Sequence, residues 1–342
     1  MAAWTPGARI CTSKGECHAP DAAALPVALD TWWRQPVPAS NCSCNRTVNV
    51  HHLHPACSRT REEILLADLS AALGVTQGVF LEMGGHDGWA STNTLYMESC
   101  LNWHGALIEA DASAFDALRS NRPHTLALRA AACATHSRLQ MYSRNRALLA
   151  RAARGERNAR NHSIQCCDPT TTFVDGPKDR AHGWAKKAGF SADVERVDVP
   201  CGPLAAYLRV MQLPRIDVWF LDVEGAEALT LQSVDWATVS VGLLSVEFAS
   251  SGKAKNSQVL DLLSAHGFAL AACVTLWRNH IYNLIFLRAA HYVGSGRALP
   301  EAALAWLDLP RNRLPGRQGD RCPKANDTSV PYRLQPPKLV VI

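Results

Sequence analysis

A chain of 342 residues that is 47% hydrophobic and 19% charged has an ordinary globular composition, with apolar material for one large domain or two small ones. Its formal charge of +5 is spread over 35 basic and 30 acidic residues, a balance that gives no reason to expect a nucleic-acid partner. No stretch is apolar for long enough to span a membrane.

The first 60 residues mix Pro, Cys, Asn and His without period and read as a Cys-rich, loop-rich arm. Five of the chain's 12 cysteines fall there: Cys11, Cys17, Cys42, Cys44 and Cys57. Such clustering suits disulfides formed in an oxidising compartment, and four N-x-S/T sequons at Asn41, Asn45, Asn161 and Asn326 suit a glycoprotein there. The group Cys42, Cys44, His51, His52, His54 and Cys57 matches no common structural zinc spacing, which favours disulfides and surface histidines. The expected location is therefore the secretory lumen or the outside of the cell. Because MAAWTPGARICTSKGEC has no apolar core of a signal peptide, the targeting segment would lie outside this chain. A cytoplasmic protein with many free thiols is the alternative.

From Arg61 the apolar residues Ile64, Leu65, Leu69, Ala72 and Leu73 recur at helical spacing up to Gly74, predicting an amphipathic helix. Short apolar runs then alternate with helical stretches to residue 288, the mark of a sheet with helices on its faces. Strands are expected at Val79–Met83, Ala106–Glu109, Thr125–Ala130, Ile216–Asp222 and Leu243–Phe248. Helices are expected at 90–100, 112–121, 226–233 and 256–266. Two further β-like runs, Phe268–Leu276 and Ile281–Leu287, are joined by so short a link that they should pair antiparallel. Residues 144–200 interrupt the alternation with Arg144, Arg146, Arg151, Arg154, Arg157 and Arg160, whose three-residue steps wander around a helix. A solvated insertion is expected there. Residues 289–342 are Pro- and Arg-rich and read as an irregular extension.

The chemistry concentrates at three strand ends. In VFLEMGGHDG an apolar strand delivers Glu82, then Gly84, Gly85 and Gly88, and a helix follows. The glycines permit a sharp turn and the close backbone approach that a nucleotide-like ligand needs. A dinucleotide site would read G-x-G-x-x-G, but His86 stands at the second glycine position and Glu82 would repel a phosphate. S-adenosylmethionine, which carries a sulfonium and an ammonium and no phosphate, fits better. Glu109 ends the next strand, twenty-one residues after Gly88, where a carboxylate can accept from both ribose hydroxyls. The third end, IDVWFLDVEGAEALTL, presents Asp222, Glu224 and Glu227 around Gly225 as a helix begins. A carboxylate at a helix start is also favoured by the helix dipole alone, which accounts for Glu227 without chemistry. The strand LLSVEF adds Glu247 at a similar depth.

Through VFLEMGGHDGWASTNTLYME, LNWHGALIEAD, LRSNRP, IDVWFLDVEGAEALTL and LLSVEF the chain resembles the FkbM family of methyltransferases, over about residues 61–288. The resemblance implies an α/β, Rossmann-like class I methyltransferase fold, a mostly parallel sheet with a terminal antiparallel hairpin. By position it implies that Glu82, Gly84, Gly88, Asn93, Glu109 and Asp222 line a site for S-adenosylmethionine, with Gly85 beside them in the turn. The chain departs from the family pattern in having Glu82 for Asp, Ala110 where Pro is common, and Asn102-Trp103-His104 for a tighter Gly-Trp pair.

The expected activity is transfer of the cofactor's methyl group to a hydroxyl of a sugar or other small-molecule or glycan acceptor. Glu224, Glu227 and His86 are the candidates for the base that takes the hydroxyl proton. Asp222 and Glu224 would also suit a divalent metal, so metal dependence stays open. The alternatives are a glycan- or protein-binding module that keeps the fold without turnover, and a nicotinamide-dependent oxidoreductase, which the missing G-x-G-x-x-G disfavours.

Overall fold

The computed structural model describes residues 10–11, 17–18, 62–89, 92–144, 173–174, 194–248, 253–276 and 280–293. In chain order its elements are β1 (Ile10–Cys11), β2 (Cys17–His18), α1 (Glu62–Ala72), β3 (Val79–Met83), α2 (Leu95–Leu101), β4 (His104–Glu109), α3 (Ala112–Asn121), β5 (Leu126–Arg129), β6 (Ala131–Ala132), β7 (Ser137–Arg144) and β8 (Phe173–Val174). They continue with β9 (Val194–Gly202), α4 (Leu204–Val210), β10 (Arg215–Leu221), α5 (Glu227–Gln232), β11 (Ser240–Glu247), α6 (Lys253–Ala265), β12 (Phe268–Leu276), β13 (His280–Arg288) and α7 (Ala289–Val293).

The main sheet runs β12, β13, β11, β10, β3, β4, β5, β1, β2. Strands β11, β10, β3, β4 and β5 are parallel, β13 runs antiparallel beside β11, and β12 pairs antiparallel with β13. This is the Rossmann-like class I arrangement the sequence leads one to expect, with its terminal hairpin. Winding proceeds outward from β3 to β5, then restarts on the other side of β3 with β10 and β11. The β3/β10 boundary is thus the switch point at which open α/β sheets bind ligands, beyond the carboxyl ends of the strands.

Parallel strands covered on both faces should be apolar throughout, and RIDVWFL of β10 is buried at every position after Arg215. Residues of one parity (Leu81, Met83, Trp219, Leu221, Val246) pack against Tyr207 and Leu208 of α4, Leu231 of α5 and Leu263 of α6. Those of the other (Phe80, Val218, Phe220, Leu243, Ile285) pack against Leu66 and Leu69 of α1, Leu73, Trp103 and Tyr292. Fully burying each such side chain contributes about 1.5–3 kcal/mol.

Several parts of the fold differ from expectation. Helix α1 turns Glu62, Glu63, Leu66, Ala67, Leu69 and Ser70 inward, leaves Ile64 and Leu65 half-buried and exposes Ala72. On that inward face Glu62 accepts from Ser245 of β11 and Asn283 of β13. Helix α2 begins at Leu95 rather than residue 90, because the preceding residues 92–94 are held by Glu82. A second sheet, in the order β6, β9, β7, β8, was not foreseen: polar β7 (SRLQMYSR) pairs antiparallel with β9 across the stretch read as an insertion. Helix α4 was also missed. The Cys133–Cys201 disulfide, Cα–Cα 5.5 Å, ties the start of this sheet to the end of β9. From the N-terminal arm, β1 pairs antiparallel with β5 and with β2, adding a short hairpin to the sheet edge.

Of the extension read as irregular from residue 289, Ala289–Val293 is instead helix α7, with His291 and Tyr292 buried, while residues 294–342, the Cys42–Cys57 cluster, the four sequons and most of the 144–200 stretch lie outside the described residues. Among the described residues no helix is long and apolar enough to cross a membrane.

Candidate functional site

The glycine turn sits at the switch point. Gly84 has φ +83°, and a Cβ there would lie 1.7 Å from the backbone carbonyl oxygen of Asp222, so only glycine lets the ends of β3 and β10 abut. Gly84 N–H donates to the Ile108 carbonyl at 2.9 Å and Asp222 N–H to the Met83 carbonyl at 3.1 Å, stitching β3 to both neighbours. Gly88 closes the turn on Gly85 at 2.8 Å with φ +71°, where a Cβ would strike Arg122 Cγ. Gly85 packs on Leu118 of α3.

Glu82 is buried, and its carboxylate is the hub of the following loop. It accepts from Thr92 Oγ1 at 2.7 Å, Asn93 N–H at 2.7 Å and Thr94 Oγ1 at 2.6 Å. Behind the threonines lies buried Arg122, which donates to Gly88 carbonyl, Thr92 and Thr94 and forms an ion pair with buried Glu98 of α2. Thr125 donates to the other Glu98 oxygen. The glycine turn, the 92–94 loop, α2 and the end of α3 thus form one hydrogen-bonded block. Asn93 is set in place by Glu82 through its main chain.

Glu109, at the end of β4, accepts from His86 N–H at 2.8 Å on one oxygen and from Asp111 N–H at 2.7 Å on the other. A carboxylate offers about four lone-pair sites, so each oxygen retains capacity for a hydroxyl donor. Burial pushes its pKa up to about 7 despite those two bonds and the His86 charge. Asp111 also caps α3, accepting from Ser113 and Ala114 N–H. His86, with φ +48°, lies 3.4 Å from Asp87. Burial disfavours its charge, yet Asp87, Glu109 and Asp111 together outweigh that and raise its pKa above the ordinary histidine value.

The third strand end holds the carboxylates. Asp222 is pushed well above the usual carboxylate range by burial and by the charges of Glu247, Glu224, Glu227 and Glu62. Glu224 sits half-buried at φ +50°, a region that non-glycine residues occupy at a cost of about 1–3 kcal/mol. Fully buried Glu227 turns its Oε1 back to accept from Gly225 N–H at 3.0 Å and Val223 N–H at 3.2 Å, closing the turn that carries Glu224. Among the described residues no group of three or more His, Cys, Asp or Glu is placed to hold a metal ion.

The predicted residues therefore form two adjoining sets, Glu82, Gly84, Gly85, His86, Gly88, Asn93 and Glu109 at β3 and β4, and Asp222, Glu224 and Glu227 at β10. Gly84 against Asp222 joins them. Sequence reasoning missed Arg122, Glu98, Glu62 and Asn283. Arg122 stood inside the motif LRSNRP without a role, and Glu62 looked like an ordinary acidic residue in the first turn of a helix.

The model of the methyltransferase FkbM domain matches residues 82–270, more than half of the chain. No curated protein matches the chain. Similar solved structures include a precorrin-6y C5,15-methyltransferase from Geobacter metallireducens, 10% identical, covering 66% of this chain and 87% of that one with a TM-score of 0.34. An O-methyltransferase from Bacillus cereus in complex with S-adenosylhomocysteine is 11% identical, covering 70% and 83%, with a TM-score of 0.33. A ribosomal protein L11 methylase from Lactobacillus delbrueckii subsp. bulgaricus is 9% identical, covering 66% and 79%, with a TM-score of 0.31.

Proposed function

Because the chain belongs to the FkbM family of methyltransferases, we propose that it transfers the methyl group of S-adenosylmethionine to a hydroxyl oxygen of a small-molecule or glycan acceptor, a sugar being the first to test. The observation that carries this is the latching of the glycine turn after β3 to Glu109 at the end of β4, through His86 N–H, beside the switch point of a class I sheet.

The residues present fit the cofactor. A glycine-rich backbone turn lies beside a carboxylate with two unfilled acceptor positions suited to a ribose diol, and Asp222, whose backbone abuts Gly84 at the end of β10, adds a carboxyl group suited to a cationic ligand. When bound, S-adenosylmethionine supplies a methyl group already activated on sulfur, so the protein's part is positioning, exclusion of water and removal of one proton. Glu224 takes the proton from the acceptor hydroxyl, and Glu227 holds the turn that aims it. Asp87, Glu109 and Asp111 outweigh burial and raise the His86 pKa, and its main-chain N–H already holds Glu109, which suits it to positioning that carboxylate.

The disulfide at Cys133–Cys201 supports an oxidising compartment, and with the four sequons it supports an acceptor met in the secretory lumen or outside the cell. The decisive experiment is incubation with labelled S-adenosylmethionine and a panel of free sugars, glycans and small phenols, with and without chelator. Label entering a sugar or glycan hydroxyl is the expected result. Folded protein that binds no S-adenosylmethionine in a calorimetric titration overturns the proposal, and binding without turnover on any acceptor leaves the fold as a binding module.

A further inference from the structure

We propose that Arg122 is a positioning residue for the cofactor: from behind the site its guanidinium joins the glycine turn to the 92–94 loop and fixes both in the shape that S-adenosylmethionine binds. The assignment rests on the methyl-transfer function proposed above.

Between Met83, the last residue of β3, and Leu95, the first of α2, the described residues form neither helix nor strand. Gly88 and Asn93 are therefore held to one another by no regular backbone ladder and depend on side chains. Arg122, the C-cap of α3, supplies the link. Its Nη1 donates to the Gly88 carbonyl at 3.3 Å and to Thr92 Oγ1 at 3.4 Å, and its Nη2 donates to Thr94 Oγ1 at 3.3 Å. Nε and Nη2 also meet Glu98 of α2, so every guanidinium N–H has an acceptor. The head group lies over the Phe80 ring of β3, 5.9 Å from its centroid, and the side chain is 2% exposed.

Thr92 and Thr94 pass the constraint on. A hydroxyl has a single hydrogen, which each threonine gives to Glu82, leaving its lone pairs to accept from Arg122. Glu82 in turn takes Asn93 N–H on its other oxygen at 2.7 Å. Arg122 thus acts on Asn93 through two threonines and Glu82, and on the glycine turn through the Gly88 carbonyl. Reaching these acceptors together takes a planar fork. A lysine ammonium carries all its donors on one nitrogen, and could satisfy Glu98 only by releasing the loop.

Stability and positioning are carried by different contacts of this one side chain. Glu98 compensates the buried charge, which is the larger part of what Arg122 contributes to folding. The bonds to Gly88, Thr92 and Thr94 are longer than the usual value of about 2.9–3.0 Å, so each is weak. Their part is to order the loop before the cofactor arrives, and without them binding must supply that ordering. The two roles are therefore separable by mutation.

The test is calorimetric titration of the whole protein with S-adenosylhomocysteine, with hydrogen exchange read by mass spectrometry, in the wild type, Arg122→Lys, Arg122→Met/Glu98→Leu and Asp217→Ala. Arg122→Lys keeps a charge opposite Glu98, the double variant removes the ion pair whole, and Asp217→Ala is the control for stability lost far from the site. Both Arg122 variants should bind about tenfold more weakly, a difference of about 1.4 kcal/mol, and exchange faster over residues 84–94. Asp217→Ala should keep wild-type affinity. Thermal melts identify any variant that fails to fold, and either Arg122 variant alone decides the matter. Wild-type affinity in a folded Arg122 variant overturns the proposal, and so does an equal loss in Asp217→Ala, which would make affinity follow stability. If neither Arg122 variant folds, Arg122 is a residue of the core and the proposal falls. Folded wild-type protein that does not bind S-adenosylhomocysteine contradicts the methyl-transfer function itself, a separate outcome that removes the assignment with it.

Discussion

The main-chain N–H of His86 donates to the Glu109 carboxylate at 2.8 Å, so the glycine turn after β3 is latched to the end of β4 by the same side chain that we propose holds a ribose. Glu109→Gln keeps the shape, but one of its two ends becomes a donor facing either His86 N–H or Asp111 N–H. Losing a hydrogen bond to a charged acceptor costs about 1.5–3 kcal/mol, so S-adenosylmethionine should bind about 10- to 100-fold more weakly to this variant. Calorimetric titration measures it, and unchanged affinity would remove Glu109 from the cofactor site.

Two glycines with similar φ should behave differently. Gly84→Ala sets a Cβ 1.7 Å from the Asp222 carbonyl oxygen, backbone against backbone, and should cost about 4 kcal/mol or more and abolish cofactor binding. Gly74, at φ +77°, has open space around it, with nothing within 4 Å of where a Cβ would sit, so Gly74→Ala should cost only the left-handed penalty of about 1–2 kcal/mol and spare binding. Urea melts of the two variants make the comparison.

Glu62 and Glu109 each have a folded pKa of about 7 against an ordinary value of 4.5. A carboxyl raised on folding favours the folded state while protonated in both states, and that advantage is lost as pH rises from about 4.5 to about 7. The shift corresponds to about 3 kcal/mol per group. Without ligand the melting temperature should therefore fall between pH 5 and pH 7, roughly the span between the two pKa values. In the Glu62→Gln or Glu109→Gln variant the slope should be shallower. A flat profile in the wild type would contradict both assignments.

Arg122 and Glu98 are both almost wholly buried, and each satisfies the other. Arg122→Met leaves a buried carboxylate uncompensated and should destabilise by about 3–5 kcal/mol, whereas adding Glu98→Leu should recover much of the loss. Chemical denaturation in a double-mutant cycle reads the coupling, and additive losses would count against the pair.

At the opposite end of β10, Asp217 accepts from Val79 N–H at 2.9 Å and meets His291 Nε2 at 3.0 Å, with Arg215 at 3.5 Å. Burial raises its pKa, but His291, Val79 and Arg215 together outweigh that and hold it below the usual value. Its contribution is thus present above the ordinary carboxylate pKa and lost in acid, below the window set by Glu62 and Glu109. Asp217→Ala should cost about 2–4 kcal/mol while leaving cofactor affinity of the folded protein unchanged, since Asp217 is about 17 Å along the strand from Asp222. Melts alongside cofactor titration check both halves.

Much of this protein was determined by the sequence alone, wherever the cause was local. Apolar runs of strand and helix length and the glycines of the turn set out β3, β4, β10, β11, the closing hairpin and α3, because period and backbone freedom act over a few residues. The motif residues at the three strand ends were legible for the same reason. Only tertiary structure decided which carboxylates do structural work. Glu82 anchors the 92–94 loop and Glu227 ties its own turn, and neither role can be read from residue type. Nor could sequence show that Glu62 and Asn283, 221 residues apart, meet over the face of the sheet, or that polar β7 is a strand at all. Those outcomes depend on strand register and on which buried groups find partners, and both are settled only when distant segments pack together.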